Sequence, residues 1–202
     1  MKYQSNNLVP YDLEVVPNFF LFGALFDGKV VQFDQTQIPE LQKFLRYIYD
    51  NGHQLVGFNN QGYDDCLLAE IFANPDKPAN EIAYRTSVDI IEHGHKPWEY
   101  EVQFPTVDLM RVLPGRLSLK KVGVILAHKK LQEMPIDFHS DASPEEIEME
   151  KVYNVNDLEI TQKLLDALQP DLDLRAEMSR EYGTDLPGHL CTQIDLGLQG
   201  IQ

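Results

Sequence analysis

The sequence predicts an α/β fold on a mixed sheet, in which three antiparallel strands are extended by two parallel ones and helices cover both faces. Three observations lead there. Apolar strands near the start are interrupted by the hairpin signal Asp27-Gly28-Lys29. A strand, a helix and a strand then follow in order, which requires a crossover and parallel pairing. Later, Ser143-Pro144-Glu145-Glu146 offers an N-cap serine, a proline at the first helical position and a glutamate at the third, the opening of a long helix.

The elements can be justified in turn. Residues 8–16 and 18–26 are rich in Val, Leu and Phe, and 30–33 completes an antiparallel meander. Within 38–49, Leu41, Leu45, Ile48 and Tyr49 recur at helical spacing, and 53–58 reads as a buried strand. A second helix is expected over 63–73, stopped by Asn74-Pro75, and a third over 80–93. The polar, aromatic and proline-bearing stretch 94–105 reads as a surface excursion, before a last strand at 106–110 and a helix at 118–127. From Ser143 an apolar face through Ile147, Val152, Val155, Leu158, Thr161, Leu164 and Leu165 runs toward Pro170. Residues 172–182 form a further amphipathic segment, and a weakly patterned tail ends the chain. With 202 residues the chain predicts a single domain, its core over about 8–170 and a C-terminal helix and tail over 171–202.

No apolar run approaches the roughly 20 residues that cross a bilayer, and residues 1–7 lack the apolar core of a signal peptide. Two cysteines, Cys66 and Cys191, make no disulfide or zinc framework. A soluble, cytoplasmic protein without a membrane partner is expected. Its 17 Lys and Arg against 32 Asp and Glu leave a formal charge of −15, which argues against a protein that coats nucleic acid through counterion release. It does not exclude a nuclease that sets metal cations between its carboxylates and a phosphate. Residues 110–132 hold no acid, while Arg111, Arg116, Lys120, Lys121, Lys129 and Lys130 all fall there. This window is either a solvated face or a phosphate-tracking strip.

Three short motifs carry the candidate chemistry. In Tyr11-Asp12-Leu13-Glu14-Val15 the two acids are two apart on a strand, so they share a face from which Tyr11 and Leu13 turn away. Paired anions on an apolar strand are costly unless a cation neutralises them. In Asn60-Gln61-Gly62-Tyr63-Asp64 an aspartate stands where a strand gives way to a helix, equally the place of an ordinary cap. In Tyr153-Asn154-Val155-Asn156-Asp157 a phenol and a carboxylate four apart share one helix face. Each alone is weak; their order along the chain, each on the element that needs it, is specific.

Together they resemble the three exonuclease motifs of the DEDD superfamily, as in the proofreading domains of family A and family B DNA polymerases. The resemblance spans roughly residues 8–168. Asp12 through Asn18 with Phe19 and Phe20, and Asn156 through Thr161, are similar to phage-type family A enzymes. Val152 stands where the histidine subtype would carry His, so the tyrosine subtype fits. Val15 departs from the hydroxyl residue that many relatives place there to contact the terminal nucleotide.

The resemblance implies an RNase H-like (DnaQ-like) fold and 3′-to-5′ hydrolysis of single-stranded DNA ends. It implies two Mg²⁺ or Mn²⁺ ions held by Asp12, Glu14, Asp64 and Asp157, with Tyr153 orienting the attacking water. Asn60, Tyr63 and Val15 would touch the substrate strand; the acid-free window, if it is a strip beside such a site, would add phosphate contacts from Arg111, Lys120 and Lys121. A polymerase domain or replication proteins are the partners it suggests. The chain is then a polymerase fragment or a free-standing phage or bacterial exonuclease, and the unpatterned tail favours the fragment. Rival readings are an exoribonuclease of the same superfamily, a silent RNase H-like module binding Ca²⁺ through its acids, and a zinc site at His53, His93 and His95.

Overall fold

The computed structural model describes residues 7–102, 104–113, 115, 117–129 and 136–183. Arg116, Lys130, Cys191 and the tail beyond Gly183 lie outside the described residues.

Strands β1 (Leu8–Val16), β2 (Phe19–Phe26) and β3 (Lys29–Asp34) form the antiparallel meander. The β2–β3 turn uses Asp27 and Gly28, both at positive φ (51° and 71°), the conformation that a two-residue hairpin loop demands. Helix α1 (Ile38–Asp50) crosses back, and β4 (Gln54–Gly57) pairs parallel with β1. Next come a 3₁₀ turn at Asn60–Gly62, α2 (Asp64–Ala73), α3 (Ala79–Ile91) and β5 (Thr106–Asp108), which pairs parallel with β4. The result is an open mixed sheet of five strands in the order β3-β2-β1-β4-β5.

Strand alternation divides the interior. Val9, Tyr11, Leu13 and Val15 of β1 join Phe20, Phe22 and Leu55 in a core closed by α1, α2 and α3. The opposite face is covered by α4 (Leu119–Ile125) and α5 (Pro144–Tyr182), and its apolar layer comes in two separate parts. Val56, Val107, Leu109, Val122, Ile160, Leu164, Leu165 and Leu172 form one. Val16, Phe19, Leu21, Ile136 and Ala142 form the other, with Ile147 against it. Helix α5 packs over β1 and β2 and bridges the gap.

Two boundaries differ from the sequence reading. The last strand stops at Asp108, because its side chain accepts from the Met110 backbone N–H and caps a 3₁₀ turn at Leu109–Arg111. The terminal helix does not end near Pro170: α5 runs as one helix of 39 residues through that proline to Gly183, which takes the left-handed conformation at its C-cap. Leu172, fully buried, and Ala176 continue the stripe of Leu164 and Leu165, so tertiary burial outweighs the backbone hydrogen bond that the proline removes. Among the described residues no helix is long and apolar enough to cross a membrane.

Pro170 is exposed, so its replacement sacrifices no packing. Pro170→Ala should stabilise the protein by up to about 3 kcal/mol, read as a higher urea midpoint at unchanged slope. A lower midpoint would mean that the proline fits a bend the fold requires.

Candidate functional site

The acids lie where the apolar layer under α5 is interrupted. Asp12 and Glu14 leave β1 toward α5, opposite Gly23 and Leu21 of β2. Between Ile147 and Ile160 the buried residues of α5 are Glu150, Asn154, Asn156 and Leu158, so this stretch of the helix meets the sheet largely with polar groups. Asp64 opens α2 just beyond the carboxyl end of β4.

Mutual electrostatics show that the sequence-chosen residues gather. Burial pushes Asp12 up to about 7, and the Asp157 charge adds to it. Burial also holds Glu14 well above the usual range, reinforced by Asp12, Glu150 and Asp157. Asp64 is raised by burial, then by Asp12 and by its neighbour Asp65. Asp157 is raised by burial and relieved by hydrogen bonds from Asn156 and Tyr153 and by the charges of Lys120 and His128. The Tyr153 phenol is raised by burial and by Asp157, Glu14 and Asp12. Asp12 and Glu14 share a hydrogen bond that favours the ionised form of Asp12 and the protonated form of Glu14. Such a bond is one way two crowded carboxyls tolerate each other.

Other sequence-chosen residues fall elsewhere. Val15 points into the opposite core, so its side chain cannot meet a terminal nucleotide from the acid face; strand parity, which sets Asp12 and Glu14 together, sends Val15 away. Asn60 is fully buried and its amide donates to Asp65 Oδ2 at 3.2 Å, the work of a turn amide in the core. The Tyr63 hydroxyl bonds Ser87 and is raised chiefly by burial, with Asp64, Glu14 and Asp12 adding to it. Arg111 turns back to Asp108, Nε to Oδ2 3.7 Å. Lys120 lies near enough to Asp157 to lower its pKa, whereas Lys121 is exposed on the same turn. His93 pairs with Asp89 and His95 with Glu99, each a partner within its own segment.

Several residues near the site escaped sequence reasoning. Glu150 is completely buried, neither of its carboxyl oxygens has a hydrogen-bond partner among the described residues, and burial followed by the Asp157 charge pushes it up to about 7. One oxygen of Glu14 is likewise unpartnered. His128 Nε2 lies 2.9 Å from Asn156 Oδ1, and Asn156 Nδ2 donates to Asp157 Oδ1 at 3.2 Å. Helical spacing was the available signal for Glu150, seven residues before Asp157 and so on the same face. Nothing local marks His128.

Asp65, beside Asp64, does a different job. It accepts from the Tyr11 hydroxyl, from Asn60 and from Thr106 Oγ1 at 2.6 Å, which ties β1, β5 and the 3₁₀ turn together inside the core.

Among the described residues no three His, Cys, Asp or Glu side chains stand as a ready cage for a metal ion. No family model matches this chain, and no curated protein matches it either.

The raised acids fix the sign of a pH effect. An unfolded aspartate releases its proton near about 3.9, whereas Asp12 in the fold holds it to about 7. Across that interval the folded protein binds more protons than the unfolded one, so unfolding free energy falls as pH rises. In EDTA the urea midpoint should therefore drop between about pH 4 and about pH 7, and Asp12→Asn should flatten the drop. A wild-type midpoint that climbs over this interval would refute the crowding.

Proposed function

We propose that this chain is a metal-dependent 3′-to-5′ exonuclease of RNase H-like fold that shortens single-stranded DNA. One observation carries the reading. Two carboxylates of a central strand, an aspartate at a strand-to-helix junction and a Tyr–Asp pair on a late helix lie close enough to shift one another's titration in a buried to half-buried patch. The five-stranded mixed sheet agrees with such a fold.

The donor chemistry fits a hard divalent cation. All candidate ligands are carboxylate oxygens, which suit Mg²⁺ or Mn²⁺ better than zinc. Burial disfavours their ionised forms, and among the described residues one oxygen of Glu14 has no partner. Amides of Asn154 and Asn156 donate to Asp12 and Asp157. Asp12, Glu14, Asp64 and Asp157 would hold the ions. When bound, these supply a nucleophilic hydroxide near neutral pH and offset charge on the leaving oxygen.

The chain's own groups do the rest. The Tyr153 phenol, pushed above its ordinary value by burial and by Asp157, keeps its proton and serves as a donor that orients water rather than as a base. Lys120, beside Asp157, supplies local positive charge for a phosphate in an otherwise acidic protein. The Arg111 pairing with Asp108 leaves Lys120 the better placed of the proposed strip.

On 5′-labelled single-stranded DNA with Mg²⁺ or Mn²⁺ the protein should produce a ladder of shortened products, and EDTA should stop it. Tyr153→Phe should cost on the order of 10²-fold in rate, and Asp12→Ala should cost more. Vigorous cleavage in EDTA, or cuts confined to the interior of a circular strand, would overturn the proposal. Ladders on RNA alone would move the substrate to RNA.

A further inference from the structure

We infer that Asn154, held by Gln32 across a gap that only Gly23 leaves open, is the positioning residue that fixes the Asp12 carboxylate. The inference rests on the reading of Asp12 as a cation ligand.

Asp12, Gly23 and Gln32 are register partners on β1, β2 and β3, so they form one row across the sheet. Asn154 descends from α5 onto the middle of that row. A Cβ built at Gly23 would lie 1.8 Å from Asn154 Oδ1 and 2.7 Å from its Cγ, so the amide occupies the space that a side chain at position 23 would fill. Glycine inside a strand weakens it and marks a close approach; here the approaching group is Asn154.

The hydrogen bonds run in one direction. Gln32 Nε2 donates to the Lys151 carbonyl at 2.9 Å and to Asn154 Oδ1 at 3.1 Å. A carbonyl can only accept, so the Lys151 oxygen settles which end of the Gln32 amide faces α5. That in turn settles Asn154: its oxygen receives from Gln32 and its Nδ2 points at Asp12. Nδ2 donates to Asp12 Oδ2 at 3.2 Å and also reaches the Asp12 backbone oxygen at 3.4 Å. Asp12 is thus held at both side chain and main chain, by a donor that cannot rotate without losing Gln32. A donor aimed at a carboxylate favours its ionised form, which is the form that binds a cation, and partners that orient ligands in this way typically govern metal affinity.

The test is Mn²⁺ affinity of the full chain, followed by the electron paramagnetic resonance of free Mn²⁺, with urea midpoints in EDTA as the folding control. Gln32→Glu keeps size but removes the donor, and Gln32→Ala removes the group from a partly exposed site on the outer strand, where folding should survive. Each should weaken Mn²⁺ binding by about tenfold, and Asn154→Ala by between about 10- and 100-fold. Gly23→Ala should reproduce the Asn154→Ala loss without altering the asparagine. The double variant Gln32→Ala/Asn154→Ala should be no worse than Asn154→Ala, because Gln32 acts only through it. Wild-type Mn²⁺ affinity in the Gln32 and Asn154 variants, with Asp12→Asn weakened, would overturn the inference and leave the proposed site standing. A purely structural role would move the urea midpoints alone, and that outcome would overturn the inference equally. If wild type and Asp12→Asn bind Mn²⁺ equally, the reading of the site fails and takes this inference with it.

Discussion

Burial and crowding of neighbouring carboxylates is the constraint around which this part of the molecule is arranged. Asp12, Glu14, Asp64, Asp157 and Glu150 are all raised, burial being the largest cause in each case. Charges removed from water at such density are tolerated only when partners or protons offset them. The offsets are amides from Asn154 and Asn156, a phenol from Tyr153, and the nearby charge of Lys120. They are partial, since among the described residues Glu150 and one oxygen of Glu14 go without hydrogen bonds. A fold that maintains this arrangement must draw its stability from the apolar clusters on either side.

Strand β1 shows how one segment serves both ends. Its odd-numbered residues Tyr11, Leu13 and Val15 build the larger core, and its even-numbered acids Asp12 and Glu14 face the candidate site. Adjacent aspartates at the start of α2 are divided in the same way. Asp64 joins the acid patch, while Asp65 is absorbed by Tyr11, Asn60 and Thr106. Tyr11 therefore links the core beneath the acids, through Asp65, to the start of β5, and movement of β1 is resisted from the face opposite the acids.

The parts of this that are legible in the sequence are those set by local rules. Strand parity places Asp12 beside Glu14, the Asp27-Gly28 pair forces the hairpin, and the capping box fixes the start of α5 at Ser143. Asn60 and Pro170 depart from their expected roles because each obeys its local rule only until burial intervenes. The turn amide is drawn inward to Asp65, and the proline is carried along by Leu172. Val15 follows parity rather than the resemblance, since the rule that pairs the acids also sends it into the core. Gly23, Gln32 and Asn154 are illegible for another reason. Their meaning depends on the register of three strands and on the height at which α5 crosses them, and no local window holds either quantity.

The spacing of α5 explains why the acids stay together. Ile147, Glu150, Asn154, Asp157, Thr161, Leu164, Leu168 and Leu172 recur at intervals of three and four, so they lie along one stripe of the helix. Both ends of that stripe are apolar and seated, Ile147 in one cluster and Leu164 and Leu172 in the other; its middle is polar. Relief of the repulsion by rotating or sliding α5 would have to move the whole stripe. A slip of one residue turns every member through about 100° and would unseat both apolar ends together. The helix thus holds its carboxylates near those of β1 through contacts outside the acid patch.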